Sequence, residues 1–71
     1  MVPVAVRCRI SDLANEKGWS LGELSRRTGI SISTLSSYDT MRTKNMPLRI
    51  AIAISVALDV SPVDLYVWKW R

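Results

Sequence analysis

Ser20-Leu21-Gly22-Glu23-Leu24-Ser25-Arg26-Arg27-Thr28-Gly29-Ile30-Ser31-Ile32-Ser33-Thr34-Leu35-Ser36-Ser37-Tyr38-Asp39-Thr40 carries two helix starts with one turn between them. Ser20 with Glu23 three positions on is a capping box, in which hydroxyl and carboxylate satisfy first-turn backbone N–H groups reciprocally. The helix it opens ends near Thr28. Gly29 then permits a sharp turn, Ile30 inserts an apolar anchor, and Ser31 is a favourable N-cap for a further helix running to about Thr40. Leu24, Ile30, Leu35 and Tyr38 can converge on one core, and Ser25 is small enough to let the two helices approach. The spacing is that of a helix-turn-helix, two helices crossing at a wide angle through a tight turn. A plain structural hairpin places apolar residues at similar intervals, so the bare pattern is only moderately specific.

Outward from this pair the chain reads as more helix. Val6, Ile10, Leu13 and Ala14 share one face of a first helix over Val6 to Lys17. Gly18 stops it, and Trp19 folds back onto its last turn as a core residue. A loop from Met41 to Met46 precedes Pro47, which starts a fourth helix ending near Leu58. Within it Ile50, Ile52, Ile54, Val56 and Leu58 alternate with small residues, a strand pattern by period alone, but three alanines and the following cap favour helix. Ser61-Pro62-Val63-Asp64 caps a short fifth helix reaching about Trp68. The expected fold is all-α, one five-helix domain over residues 1–71, with the helix-turn-helix at about 20–40.

Composition bounds the chemistry. The 71 residues are 48% hydrophobic and 23% charged, enough for one core and too few for a second. A single cysteine, Cys8, and no histidine exclude intrachain disulfides, Cys/His zinc frameworks and every imidazole-dependent catalytic scheme. No nucleophile–base pair, metal set or phosphate loop is present, so neither an enzyme nor a cofactor is expected. Ten basic against six acidic residues give +4, and residues 1–45 hold seven of the basic and four of the acidic groups. That favours a polyanionic partner, although such a charge is also ordinary for solubility. The longest uncharged apolar run, Ile50 to Leu58, is too short to span a bilayer, and Met1 to Val6 lacks the features of a signal peptide. A cytoplasmic protein is expected.

Gly18-Trp19-Ser20, Leu24-Ser25, Gly29-Ile30-Ser31, Ser33-Thr34-Leu35-Ser36 and Ile54-Ser55-Val56-Ala57-Leu58-Asp59-Val60-Ser61 resemble the Cro/C1-type helix-turn-helix repressors of phages and bacteria. The resemblance runs from about Ile10 to Leu65. It implies a lambda-repressor-like fold, a third helix entering the DNA major groove, and a dimer on a palindromic operator. Three departures stand out. Where the family often carries a phosphate-binding Gln at the start of the second helix, this chain has Leu21. The family's pairing of an Arg in the first helix with a Glu ending the third falls on Ala14 and Asp39, and Arg7, Arg9 and Arg42 are the candidate replacement cations. The outward positions of the third helix, usually Gln, Arg or Asn, are here uncharged.

On this reading Ile32, Ser33, Ser36 and Ser37 face base edges, where hydroxyls donate or accept and Ile32 packs on a thymine methyl. Such contacts discriminate weakly, leaving more of the specificity to dimer spacing and DNA deformability. Arg26, Arg27, Ser31, Arg42, Lys44 and Asn45 are the expected phosphate contacts, with a solvated helix end as the plainer account of Arg26 and Arg27.

The fourth helix carries two apolar stripes, Ile50/Ile54/Leu58 and Leu48/Ile52/Val56, and one bundle does not easily cover both. Residues 47–71 are therefore the expected dimerisation region, with Ile52, Val56, Tyr66, Trp68 and Trp70 at the interface, although Trp68 folding back onto its own domain is equally ordinary. The function expected is a sequence-specific transcriptional regulator, most simply a Cro-like phage repressor without a small-molecule effector. An antitoxin or restriction-modification controller would look the same. From a different class, the scaffold could serve as a protein-interaction module; specific binding to its own upstream DNA discriminates against that.

Overall fold

The computed structural model describes residues 1–71, and its element order is β1 (Pro3–Cys8), α1 (Ile10–Glu16), α2 (Leu21–Thr28), α3 (Ile32–Asp39), α4 (Leu48–Leu58), a 3₁₀ turn (Pro62–Leu65) and β2 (Tyr66–Trp70). Four helices and a two-stranded antiparallel sheet replace the expected all-α, five-helix arrangement. The core is one cluster, in which Ile10, Ala14, Leu24, Leu35, Ile54 and Leu65 are fully buried.

The sheet is the principal correction. Residues 6–8, assigned by pattern to the first helix, belong to β1, which pairs with β2 from Pro3↔Trp70 to Cys8↔Tyr66. Reciprocal bonds between Val2 and Arg71, at 2.7 and 2.9 Å, extend the ladder. Val2, Val4 and Val6 alternate with the period of a strand, and Tyr66, Trp68 and Trp70 do the same. Each run is too short to hold as an isolated strand, and each finds its partner more than fifty residues away. For the same reason the last segment stops being helical at Leu65 instead of reaching Trp68: the backbone of residues 66–70 is claimed by β1.

The helices otherwise form where expected. Gly18 (φ 76°) and Gly29 (φ 75°) take the left-handed conformation that ends α1 and α2. Residues 48–58 are helical, and Ile54 and Leu58 are buried while Leu48, Ile52 and Val56 are 70%, 46% and 74% exposed. The Ile50/Ile54/Leu58 stripe is thus the one that meets the core, and the other is bare. The capping box of α2 is half made. Ser20 Oγ accepts the Glu23 N–H at 3.2 Å, but the Glu23 carboxylate turns to Arg26 and Arg27 instead of back to Ser20. Trp19 is half-buried beside the core, with the Arg27 guanidinium 4.2 Å and the Lys17 ammonium 5.5 Å from its ring centre. No helix is long and apolar enough to cross a membrane.

Candidate nucleic-acid interface

The α2–α3 turn is held by polar side chains as well as by glycine. Gly29 N–H donates to Ser25 O at 2.9 Å, Ser25 Oγ donates to Ile30 O at 2.5 Å, and Thr28 Oγ1 donates to Leu24 O at 2.8 Å while accepting Ile30 N–H at 3.2 Å. The N–H groups of Gly29 and Ile30 and the carbonyl of Ile30, which such a turn would leave orphaned, are thereby paired. Ser25 does more than permit close approach: its hydroxyl fixes the carbonyl of the anchor Ile30.

From this turn α3 starts in a set direction. Ser31 caps it, its Oγ accepting Thr34 N–H at 3.3 Å and lying 2.8 Å from Thr34 Oγ1. Leu35 and Tyr38 are buried on one side of the helix, while Ile32 is 52% exposed and Ser33 and Thr40 are exposed on the other. Ser36 and Ser37 are half-buried at the flanks. Ile32 leans over Gly22, where a Cβ would sit 3.7 Å from Ile32 Cδ1. Its side chain is therefore braced against α2 on one side and open to solvent on the other.

The loop after α3 opens with Met41 in the left-handed region (φ 63°) and carries Arg42, Thr43, Lys44 and Asn45, all exposed. Neither Arg42 nor Lys44 makes an ion pair. Arg26 and Arg27 differ: both bind Glu23, Arg27 through Nε at 2.8 Å, and Arg27 also stacks on Trp19. The hydrogen bond from Arg26, aided by the charge of both guanidiniums, holds the Glu23 carboxyl below its ordinary value. Leu21, in the position of the family's Gln, is half-buried against the core and offers no polar group.

The expected Arg–Glu buttress is rebuilt without a cation. Asp39 accepts the backbone N–H of Ser11, whereas Arg7 pairs with Asp12 and Arg9 donates to Asp64 O at 3.1 Å. None of the three candidate arginines meets Asp39.

At the C-terminal end the expected interface set divides. Ile52, Val56 and Trp70 (60% exposed) are open, but Tyr66 is 6% exposed and belongs to the core. Trp68 folds back, its indole N–H donating to Val63 O at 2.7 Å and its ring meeting Tyr66 edge-on at 5.3 Å. Assignment of Tyr66 and Trp68 to an outer surface is corrected by strand β2, which turns both toward the molecule's own core. A shallow apolar cavity of about 260 Å³ lies against Met46, Leu48, Ala51, Val63, Tyr66 and Trp68. No cluster of Cys, Asp and Glu side chains is arranged to hold a metal.

The sequence profile of the Cro/C1-type HTH DNA-binding domain matches residues 7–69. Among curated proteins, the chain is 37% identical over 70 residues to YopS, described as an SPbeta prophage-derived uncharacterized HTH-type transcriptional regulator of Bacillus subtilis (strain 168). That match covers 97% of this chain and 95% of the relative. No solved structure gives a significant match.

Proposed function

This chain belongs to the Cro/C1-type helix-turn-helix DNA-binding domains and is a transcriptional regulator, not an enzyme; on that premise we propose that it represses transcription as a homodimer on a palindromic operator, as a compact phage or prophage repressor does. Its partner is double-stranded DNA. The observation that carries the finer reading is the bracing of α3, with Leu35 fully buried behind it and Ile32 half exposed in front, on a helix of fixed direction.

In this reading Ile32 and Ser33 enter the major groove and meet base edges, Ile32 through a thymine methyl and Ser33 through its hydroxyl, with Ser36 and Ser37 flanking them. Unpaired Arg42 and Lys44, together with Asn45 and the exposed Ser31, meet phosphates on either side of the groove. Arg26 and Arg27 contribute from the rim, held in place by Glu23 and Trp19. Two copies related by a dyad set their α3 helices about 34 Å apart, one duplex turn, and the shared free energy of two half-sites offsets weak discrimination at each. The bare Leu48/Ile52/Val56 stripe and Trp70 support dimer formation through residues 47–71.

The experiment is selection of bound duplexes from a random pool, followed by sedimentation of the protein with the selected site. A symmetric motif bound by two chains is the expected result. A motif without symmetry, or one chain per site, overturns the dimeric operator reading. Loss of all binding under excess unrelated duplex overturns sequence-specific recognition.

A further inference from the structure

The exposed face of α4 has charges placed the wrong way round for an isolated helix. A helix favours negative charge at its N-terminus and positive charge at its C-terminus. In α4 the first turn carries Arg49 and no acid, the last turn carries no base, and Asp59 stands at the C-cap. No side chain caps the N-terminal end, and neither Arg49 nor Asp59 takes part in an ion pair. At about 100° per residue Arg49 lies beside the bare stripe of Leu48, Ile52 and Val56, and Asp59 stands in line with that stripe at its C-terminal end.

A partner that complements this face must be apolar along its centre, acidic where Arg49 sits and basic where Asp59 sits. A second copy of α4 running in the opposite direction has this pattern. We propose that two chains pair through α4 laid antiparallel across a two-fold axis at Ile52, with Arg49 of each beside the Asp59 end of the other. The proposal rests on the dimer reading above and names the surfaces that meet.

With the axis at Ile52, Leu48 lies opposite the partner's Val56 and Ile52 opposite the partner's Ile52, so one isologous patch covers all three exposed side chains. Arg49 comes level with the partner's Ser55, one helical turn or about 6 Å short of the partner's Asp59, a gap an arginine side chain spans. The same arrangement sets each Arg49 against the partner's helix C-terminus and each Asp59 against the partner's N-terminus, reversing both unfavourable placements. Ala53, half-buried beside the stripe, lets the two helices approach closely.

Disulfide trapping of the full chain tests this. Ile52 is 46% exposed, so Ile52→Cys leaves the core intact, and Cys8, buried at 6% exposure, stays out of reach of the oxidant. Mild oxidation of Ile52→Cys is expected to give a covalent dimer that still binds the selected operator, whereas Val67→Cys on the sheet gives none. Charge exchange supplies the second readout. Arg49→Asp and Asp59→Lys are each expected to weaken dimerisation about tenfold, since each contact occurs twice, and the double exchange to restore it to within about threefold. A protein that sediments as a dimer yet fails to trap through Cys at position 52, or whose double exchange is no better than the singles, overturns the α4 pairing while leaving the dimer reading intact. A protein that stays monomeric on its operator overturns both.

Discussion

The carboxylate of Asp39, last residue of α3, accepts the backbone N–H of Ser11 in the first turn of α1 at 3.2 Å. Arg9 at the N-cap of α1 offers no side-chain acceptor, so a residue 28 positions away does the capping. One hydrogen bond thus satisfies an orphan donor of α1 and fixes the far end of α3 against the body of the protein. Asp39→Ala is expected to cost about 1 kcal/mol, or roughly 4–8 °C in Tm for a domain of this size. Asp39→Asn, whose amide oxygen still accepts, is expected to lose less. Equal melting of wild type and Asp39→Ala would show that the contact does not hold α3.

Base reading and phosphate binding separate in the salt dependence of affinity. Arg42→Ala and Lys44→Ala are each expected to flatten the slope of log K against log salt by about 0.9, with the same loss on every sequence. An unchanged slope removes that residue from the interface.

Ile32→Ala and Ser33→Ala are expected to leave the slope intact and change base preference, each by about 1 kcal/mol at the contacted pair, the low end of what a bidentate contact supplies. Competition between operator variants that differ at single positions measures this. A uniform loss over all variants would contradict groove contact by these residues.

Trp68 ties β2 to the turn before it, and Tyr66 lies opposite Cys8 in the ladder. Trp68→Ala is expected to cost about 2 kcal/mol in urea denaturation and to speed modification of the buried Cys8 thiol, whose own pKa burial holds high. Trp70→Ala, at an exposed ring, leaves the stability of the single chain unchanged. Equal thiol reactivity in wild type and Trp68→Ala would mean that the sheet does not shield Cys8.

Burial also pushes the Tyr66 phenol from its ordinary value of 10.0 up to about 12, with Cys8 and Tyr38 nearby adding to the effect. The unfolded chain ionises Tyr66 more readily than the folded one, so its stabilising contribution is complete below pH 10 and is lost as pH rises toward about 12. Denaturation midpoints are expected to fall across that interval, with Tyr66→Phe flattening the decline. A decline of the same steepness in Tyr66→Phe would assign it to other groups. Glu23 works in the opposite direction: its lowered carboxyl stabilises α2 above its ordinary pKa, and that contribution fades as pH falls through the depressed value.

The pattern of residues 20–40 determined the helix-turn-helix by itself, because caps, a left-handed glycine and helical apolar spacing all act within a few residues of one another. Local signals also placed α4, although its alternating isoleucines left strand open, and only the packed core decided which of its two stripes is covered. The outward face of α3 and the basic loop were legible as candidates for the same reason, as residues left over once Leu35 and Tyr38 are spent on the core. The pairing of the two ends of the chain was not legible. Val2, Val4 and Val6 carry no mark of Tyr66, Trp68 and Trp70, and a strand exists only when its backbone N–H and C=O groups find a partner. The same limit hid the Asp39–Ser11 cap and the commitment of Arg7 and Arg9 elsewhere. Short-range hydrogen bonds and side-chain periodicity are written along the chain, whereas contacts between distant residues depend on where the collapsed core brings them, and tertiary structure alone decided those.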